Sequence, residues 1–295
     1  MTAGACMVGD AVALALVAAV FFGSALVLTP FGLRHLPPVR GAAVSVSTTA
    51  AAFLLASPLL VDWSAAALPA VLVFAAVGLL FPATVTMLTF AANRRLGPHV
   101  AGALGNLAPL FAVLFAAALL GEVPGPGQAA GILLVVAGAT LLVLASARGG
   151  GIGVRAAFLL PLAAAAVRGL VQPAVKIGFE TWPSPYAAAT VGYLVSAVVV
   201  VGFAAARGGL PSLRGDRTGV LWFAAVGLCN GAAVVTMYAA LARGPVALVA
   251  PLVATYPLAT LALGAVLLRG VRIGPRIAVG VAVTVAGVAL LLASR

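Results

Sequence analysis

Charge is what this 295-residue sequence has least of: 7% of its residues are charged and only 5 are acidic, against 64% that are hydrophobic. So little polar surface cannot wrap a water-soluble core, so lipid must be the solvent for much of the chain. Cysteine is nearly missing. Cys6 and Cys229 give neither a disulfide framework nor metal-ligand spacing. The two histidines, His35 and His99, stand apart beside arginines at span ends, where interfacial solvation suits them and a metal site is not expected. No nucleophile shares a depth with a base, which argues against an intramembrane enzyme. There is no Gly-x-x-x-x-Gly-Lys-Ser/Thr loop and no soluble stretch to house one, so neither a nucleotide cofactor nor ATP drive is expected. Asp10, Asp62, Glu122 and Glu180 all fall near helix ends, leaving no evident carboxylate proton carrier at mid-depth.

What is present is apolar and regularly punctuated. The formal net charge of +11 comes from arginines set singly or in small groups between apolar runs, where they fix topology; nucleic acid is not an expected partner. Reading the runs between charge and Pro/Gly punctuation predicts ten spans, over residues 9–29, 40–60, 66–92, 98–120, 127–146, 156–178, 185–206, 218–241, 246–268 and 275–293. The first run is long and lacks the cationic lead of a cleaved signal peptide, so it counts as a span.

The stretch from Gly97 to Val143 is written again, with variations, from Gly244 to Leu290. Each copy opens with Gly-Pro (Gly97-Pro98, Gly244-Pro245) and carries a mid-helix proline (Pro109, Pro257). Each then closes an apolar run at Leu119-Leu120-Gly121-Glu122 or Leu267-Leu268-Arg269-Gly270, restarts at Pro126 or Pro275, and spaces two glycines equally (Gly131 and Gly138, Gly280 and Gly287). That is an internal duplication. The glycine-rich run over residues 148–155 separates a first half, 1–148, from a second, 154–295. Five spans per half is an odd number, so the second half enters the membrane inverted relative to the first. The expected fold is therefore an all-α integral membrane protein with ten transmembrane helices in two inverted five-helix repeats. Loops carrying Arg34, Arg40, Arg94, Arg95, Arg148, Arg155, Arg207, Arg214, Arg217, Arg269, Arg272 and Arg276 share one side. By the positive-inside rule that side is cytoplasmic and both termini lie outside.

This plan, with its paired Gly-Pro, mid-helix proline, Leu-Leu-Gly-Glu and closing glycine-spaced helix, resembles the drug/metabolite transporter superfamily, specifically its EamA-type members. The resemblance covers nearly the whole chain. It implies a secondary transporter, an exporter more than an importer, working by alternating access on small organic metabolites such as amino acids or related compounds. Two features depart from the family pattern: Leu-Leu-Arg-Gly in the second copy, and termini placed outside where members are often drawn with both in the cytoplasm. The rival class is a structural or assembly membrane protein. A homodimer is compatible with either. Richness in Ala, Val, Leu, Gly and Arg suits a GC-rich bacterial genome and hence a bacterial inner membrane.

Candidate substrate contacts are the polar groups inside apolar runs. Arg168 lies near the centre of the sixth span with Gln172 and Lys176 at i+4 and i+8 on one helix face. A guanidinium at that depth costs at least about 2.5 to 3.5 kcal/mol on insertion scales, so it should face a cavity or a partner and would favour carboxylate or phosphate. Lys176 can instead snorkel or pair with Glu180. Ser45 and Thr48 in the second span match Tyr193 and Ser196 in the seventh; Thr86, Thr89 and Asn93 share a face of the third, and Asn230, Thr236 and Tyr238 lie in the eighth, with Tyr256 in the ninth. The hydroxyls have a plainer reading as bonds to their own helix or glue between helices. Glu122 reads as a helix-end anchor. Pro30, Pro82, Pro109, Pro173, Pro251 and Pro257 mark kinks, either static or hinging.

Overall fold

In lipid every backbone N–H and C=O must be bonded within its own segment, and apolar runs of this length therefore fold as helices. The computed structural model describes residues 3–145, 158–208, 217–267 and 274–294. The linker over 148–155, the second-copy Leu268-Arg269-Gly270 step and the side chain of Asn93 lie outside the described residues. The helices run α1 (Ala3–Leu33), α2 (Pro38–Leu60), α3 (Leu68–Gly78), α4 (Val85–Gly105), α5 (Ala108–Leu120) and α6 (Pro126–Ala145). The second half gives α7 (Leu159–Phe179), α8 (Pro185–Gly208), α9 (Arg217–Leu241), α10 (Val246–Val253), α11 (Tyr256–Leu267) and α12 (Pro275–Ala293). No strand occurs among the described residues.

Among the described residues 8 helical stretches are long and apolar enough to cross a membrane. The expected span over 98–120 corresponds to a shorter apolar helix, Ala108–Leu120, whereas α6 runs over nearly all of the expected 127–146. The reason is local. The chain stays helical through Gly97 and Pro98 as the continuation of α4, so the Gly-Pro step does not start a new helix. α3 and α4 are two arms of one rod, separated by a loosened turn over Leu79–Thr84 in which Phe81 is extended (φ −140°, ψ 130°).

Two further interruptions fall at the same register of the two repeats. Asn106 and Leu107 separate α4 from α5, and Ala254 and Thr255 separate α10 from α11. Each is followed by a proline at the second position of the next helix, Pro109 or Pro257, where a missing N–H costs no helical bond. Gly121 closes α5 in the left-handed region, φ 68°, a conformation that glycine adopts without a Cβ clash.

The halves bury their helices against each other more than against themselves. α1 packs on α9 and α11, α2 on α8 and α9, α4 and α5 on α7, and α6 on α12. Small residues allow the close approach that lipid-embedded helices depend on. A Cβ at Gly138 would lie 2.3 Å from Thr284 Oγ1 and 2.5 Å from Thr284 N, and one at Gly287 would lie 2.6 Å from Val135 N. The equally spaced glycines of the duplication are thus the α6–α12 seam. Two hydroxyls clamp the halves in matching ways. Thr49 Oγ1 donates to Gly227 O at 2.6 Å, and Ser196 Oγ donates to Gly78 O. Outside the spans, Asp62 opens the short turn Trp63–Ala65 by accepting from Ser64 Oγ (2.6 Å) and Ser64 N (3.0 Å); these bonds hold its carboxyl below the usual carboxylate range.

Candidate functional site

A cavity of about 780 Å³ lies between the halves, lined by residues from α1, α2, α4, α7, α8 and α9 and by the two interrupted segments. That volume suits a small organic solute, since ligand pockets run about 300 to 1,000 Å³. Its walls are apolar, with Phe22, Leu26, Phe81, Phe223 and Met237 the largest contributors. Thr29 and Leu33 at the end of α1, Pro38 and Val39 at the start of α2, and Arg94 place its mouth at the face that carries Arg34 and Arg40.

The opposite face is shut. Two groups of ring contacts, Phe53 with Tyr186 and Phe74 with Phe179, Trp182 and Tyr238, pack there within one buried apolar cluster. Beside them Glu122, delivered by the Gly121 turn, makes an ion pair with Lys176 and accepts from Val246 N at 2.6 Å. A carboxylate at the start of α10 satisfies one of that helix's free N–H groups and meets the positive end of its dipole. Lys176 Nζ also donates to Gly244 O at 3.0 Å. One charged pair therefore joins α5, α7 and α10 across the two halves.

Polar groups gather where the helices are interrupted. Tyr256, the first residue of α11, donates its hydroxyl to Asn106 Oδ1 at 2.8 Å, linking one break to the other. The Arg168 guanidinium lies against the same Tyr256 hydroxyl. Three buried atoms in this group have no hydrogen-bond partner among the described residues: Arg168 Nε, Asn106 Nδ2 and Gln172 Oε1. Interrupted helices at the meeting of two repeats are where carrier proteins place their polar contacts, because unwound backbone is tolerated only where it lines a cavity.

Of the residues singled out from sequence, Arg168, Gln172, Ser45, Thr89, Tyr193, Asn230 and Tyr256 line the cavity. Lys176 does not; it is held by Glu122, not by Glu180. Tyr238 is buried against Phe179, with ring centroids 6.5 Å apart, on the closed side. Thr48 is partly exposed and does not line the cavity, because the α2 positions turned toward it are Ala42, Ser45 and Val46, while Thr49 bonds to Gly227 O of α9. Thr236 bonds back to Ala232 O and Ala233 O, the plainer role weighed for hydroxyls. Sequence reasoning missed Asn106. Its signal was there: a large polar side chain in an apolar run three residues before the repeated proline.

Two polar-floored interruptions facing one cavity define a multi-pass membrane protein built around a solute-sized chamber. The EamA-like transporter family matches the chain twice, over residues 10–144 and 155–293, and the chain belongs to that family. A solved crystal structure is similar over 97% of this chain and 98% of its own, with TM-score 0.79 at 23% sequence identity, a likeness of fold. No curated protein gives a significant match.

Proposed function

We propose that this protein is a secondary transporter of small organic metabolites in a bacterial inner membrane, exporting by alternating access between two inverted halves of five spans each. The observation that supports it best is the asymmetry of the central cavity, open at the arginine-rich face and shut opposite by the Glu122–Lys176 pair and its aromatic surround. Exchange of open and shut faces is the motion that an inverted repeat makes available, because each half can adopt the other's arrangement. Family membership supports the class, and the positive-inside rule favours the arginine-rich face as the cytoplasmic one.

The test is sided cysteine labelling in right-side-out and inside-out vesicles, on a background with Cys6→Ala and Cys229→Ala. Thr89→Cys should label from the arginine-rich face. With Glu122→Gln added, labelling from the other face should rise severalfold, because the neutral amide loses the ion pair with Lys176. Labelling that stays on one face in every background would support a static assembly protein. The same measurement assigns the arginine-rich face to one side of the membrane.

A further inference from the structure

We propose that the cavity takes monovalent organic carboxylates that carry an apolar body and a neutral hydroxyl or amide N–H next to the carboxylate. The proposal rests on the transport reading of the same site. Among the described residues, the charged groups lining the cavity are Arg94 at the mouth and Arg168 at depth, with no carboxylate to balance them. An anion is therefore favoured and a cation opposed, and both effects are strong where water is sparse.

The unpartnered atoms narrow the choice further. Arg168 Nε and Asn106 Nδ2 are buried donors with nothing to donate to. Asn106 is 2% exposed, and its Oδ1 is occupied by Tyr256, so the free amide hydrogens belong to a ligand acceptor. A carboxylate has two oxygens for two such donors. A phosphate would bring more oxygens and a second charge than one guanidinium and one amide can meet at that depth. Gln172 Oε1, 6% exposed for the residue and one helical turn from Arg168, is a buried acceptor without a donor. A hydroxyl or amide N–H on the carbon beside the carboxylate supplies it. A free ammonium would find one neutral acceptor there, beside a guanidinium that repels it. The remaining walls are apolar, so the rest of the ligand is too.

The experiment is binding to the full chain in lipid nanodiscs by calorimetry, with four matched probes: 3-phenyllactate, 3-phenylpropionate, phenylalanine and 3-phenylpropylamine. Phenyllactate is expected to bind tightest and the amine not to compete. Arg168→Gln should weaken phenyllactate about 10- to 100-fold, the loss that removal of a charge-assisted bond brings. Gln172→Leu, which conserves folding in an apolar setting, should abolish the preference for phenyllactate over phenylpropionate while phenylpropionate still binds. Amine binding equal to or tighter than phenyllactate binding, absence of binding by all four, or phenyllactate binding unchanged in both variants would overturn the proposal. Liposome flux separates the two readings. Phenyllactate that binds as described but never crosses overturns transport and leaves the carboxylate assignment standing; an amine that crosses and competes does the reverse.

Discussion

At the residue scale the side chains divide by what they can reach. Arg168, Asn106 and Gln172 line the cavity and each keeps a buried atom without a partner among the described residues, whereas Thr49, Ser196 and Thr236 spend their hydroxyls on backbone carbonyls. The Tyr256–Asn106 bond can be tested by Tyr256→Phe, which leaves Asn106 Oδ1 buried without its donor. That should lower stability by about 1 to 3 kcal/mol, read from thermal unfolding in detergent. Intramembrane charge made Arg168 legible in the sequence, because its insertion cost demands a reason. Lys176 was legible as a charge but not in its partner. Glu180 is near it along the chain, while Glu122 reaches it only through the fold. Ser45 faces the cavity and Thr48 does not, since a spacing of three and a spacing of four both suit a helix of 3.6 residues per turn and pattern alone does not choose between them.

Elements carry a second group of tests. Thr49→Val and Ser196→Ala each remove one hydroxyl bond between the halves, and each should cost about 0.6 kcal/mol, the average for such bonds between membrane helices. The two sites are distant, so the double variant should lose close to the sum. The glycine seam predicts a sharper contrast. Gly138→Ala must push a Cβ into Thr284, which is fully buried, and should destabilise by about 1 to 3 kcal/mol. Gly202→Ala, with nothing within 4 Å, should be neutral or stabilise by up to about 1 kcal/mol, and a comparison of the two melting curves checks both. The duplicated glycines were readable in the sequence as an equal spacing, but that they face one another was not. Helix ends were readable where proline opens a helix, as at Pro38, Pro126, Pro185 and Pro275. They were misread at Gly97-Pro98, where α4 runs on to Gly105 and leaves α5 short. The breaks at Asn106 and Ala254 lay unseen inside two predicted spans, because a two-residue turn with one polar residue barely lowers the hydropathy of a long apolar run.

For the whole molecule, the duplication announced two related halves, and the family matches fall on two such segments. What sequence did not convey is how thoroughly the halves interlock. α1 lies on α9, α2 on α8, α5 on α7 and α6 on α12, so the principal contacts of the first half are all with the second. A chain cut within residues 148–155 and expressed as two pieces should therefore reassemble in the membrane, recovering the Thr89→Cys labelling pattern, while either piece alone should be degraded. Co-purification of the pieces checks it.

That interlocking has a consequence for biosynthesis. The first half leaves the ribosome before its principal packing partners exist, and at about 5 to 20 residues per second the second half follows only after roughly 7 to 30 seconds. Through that interval the glycine face of α6 lacks α12, the hydroxyl of Thr49 has only the Ser45 carbonyl of its own helix, and the α10 N-terminus that Glu122 will cap has yet to be made. The nascent chain is an unmatched half waiting for its counterpart.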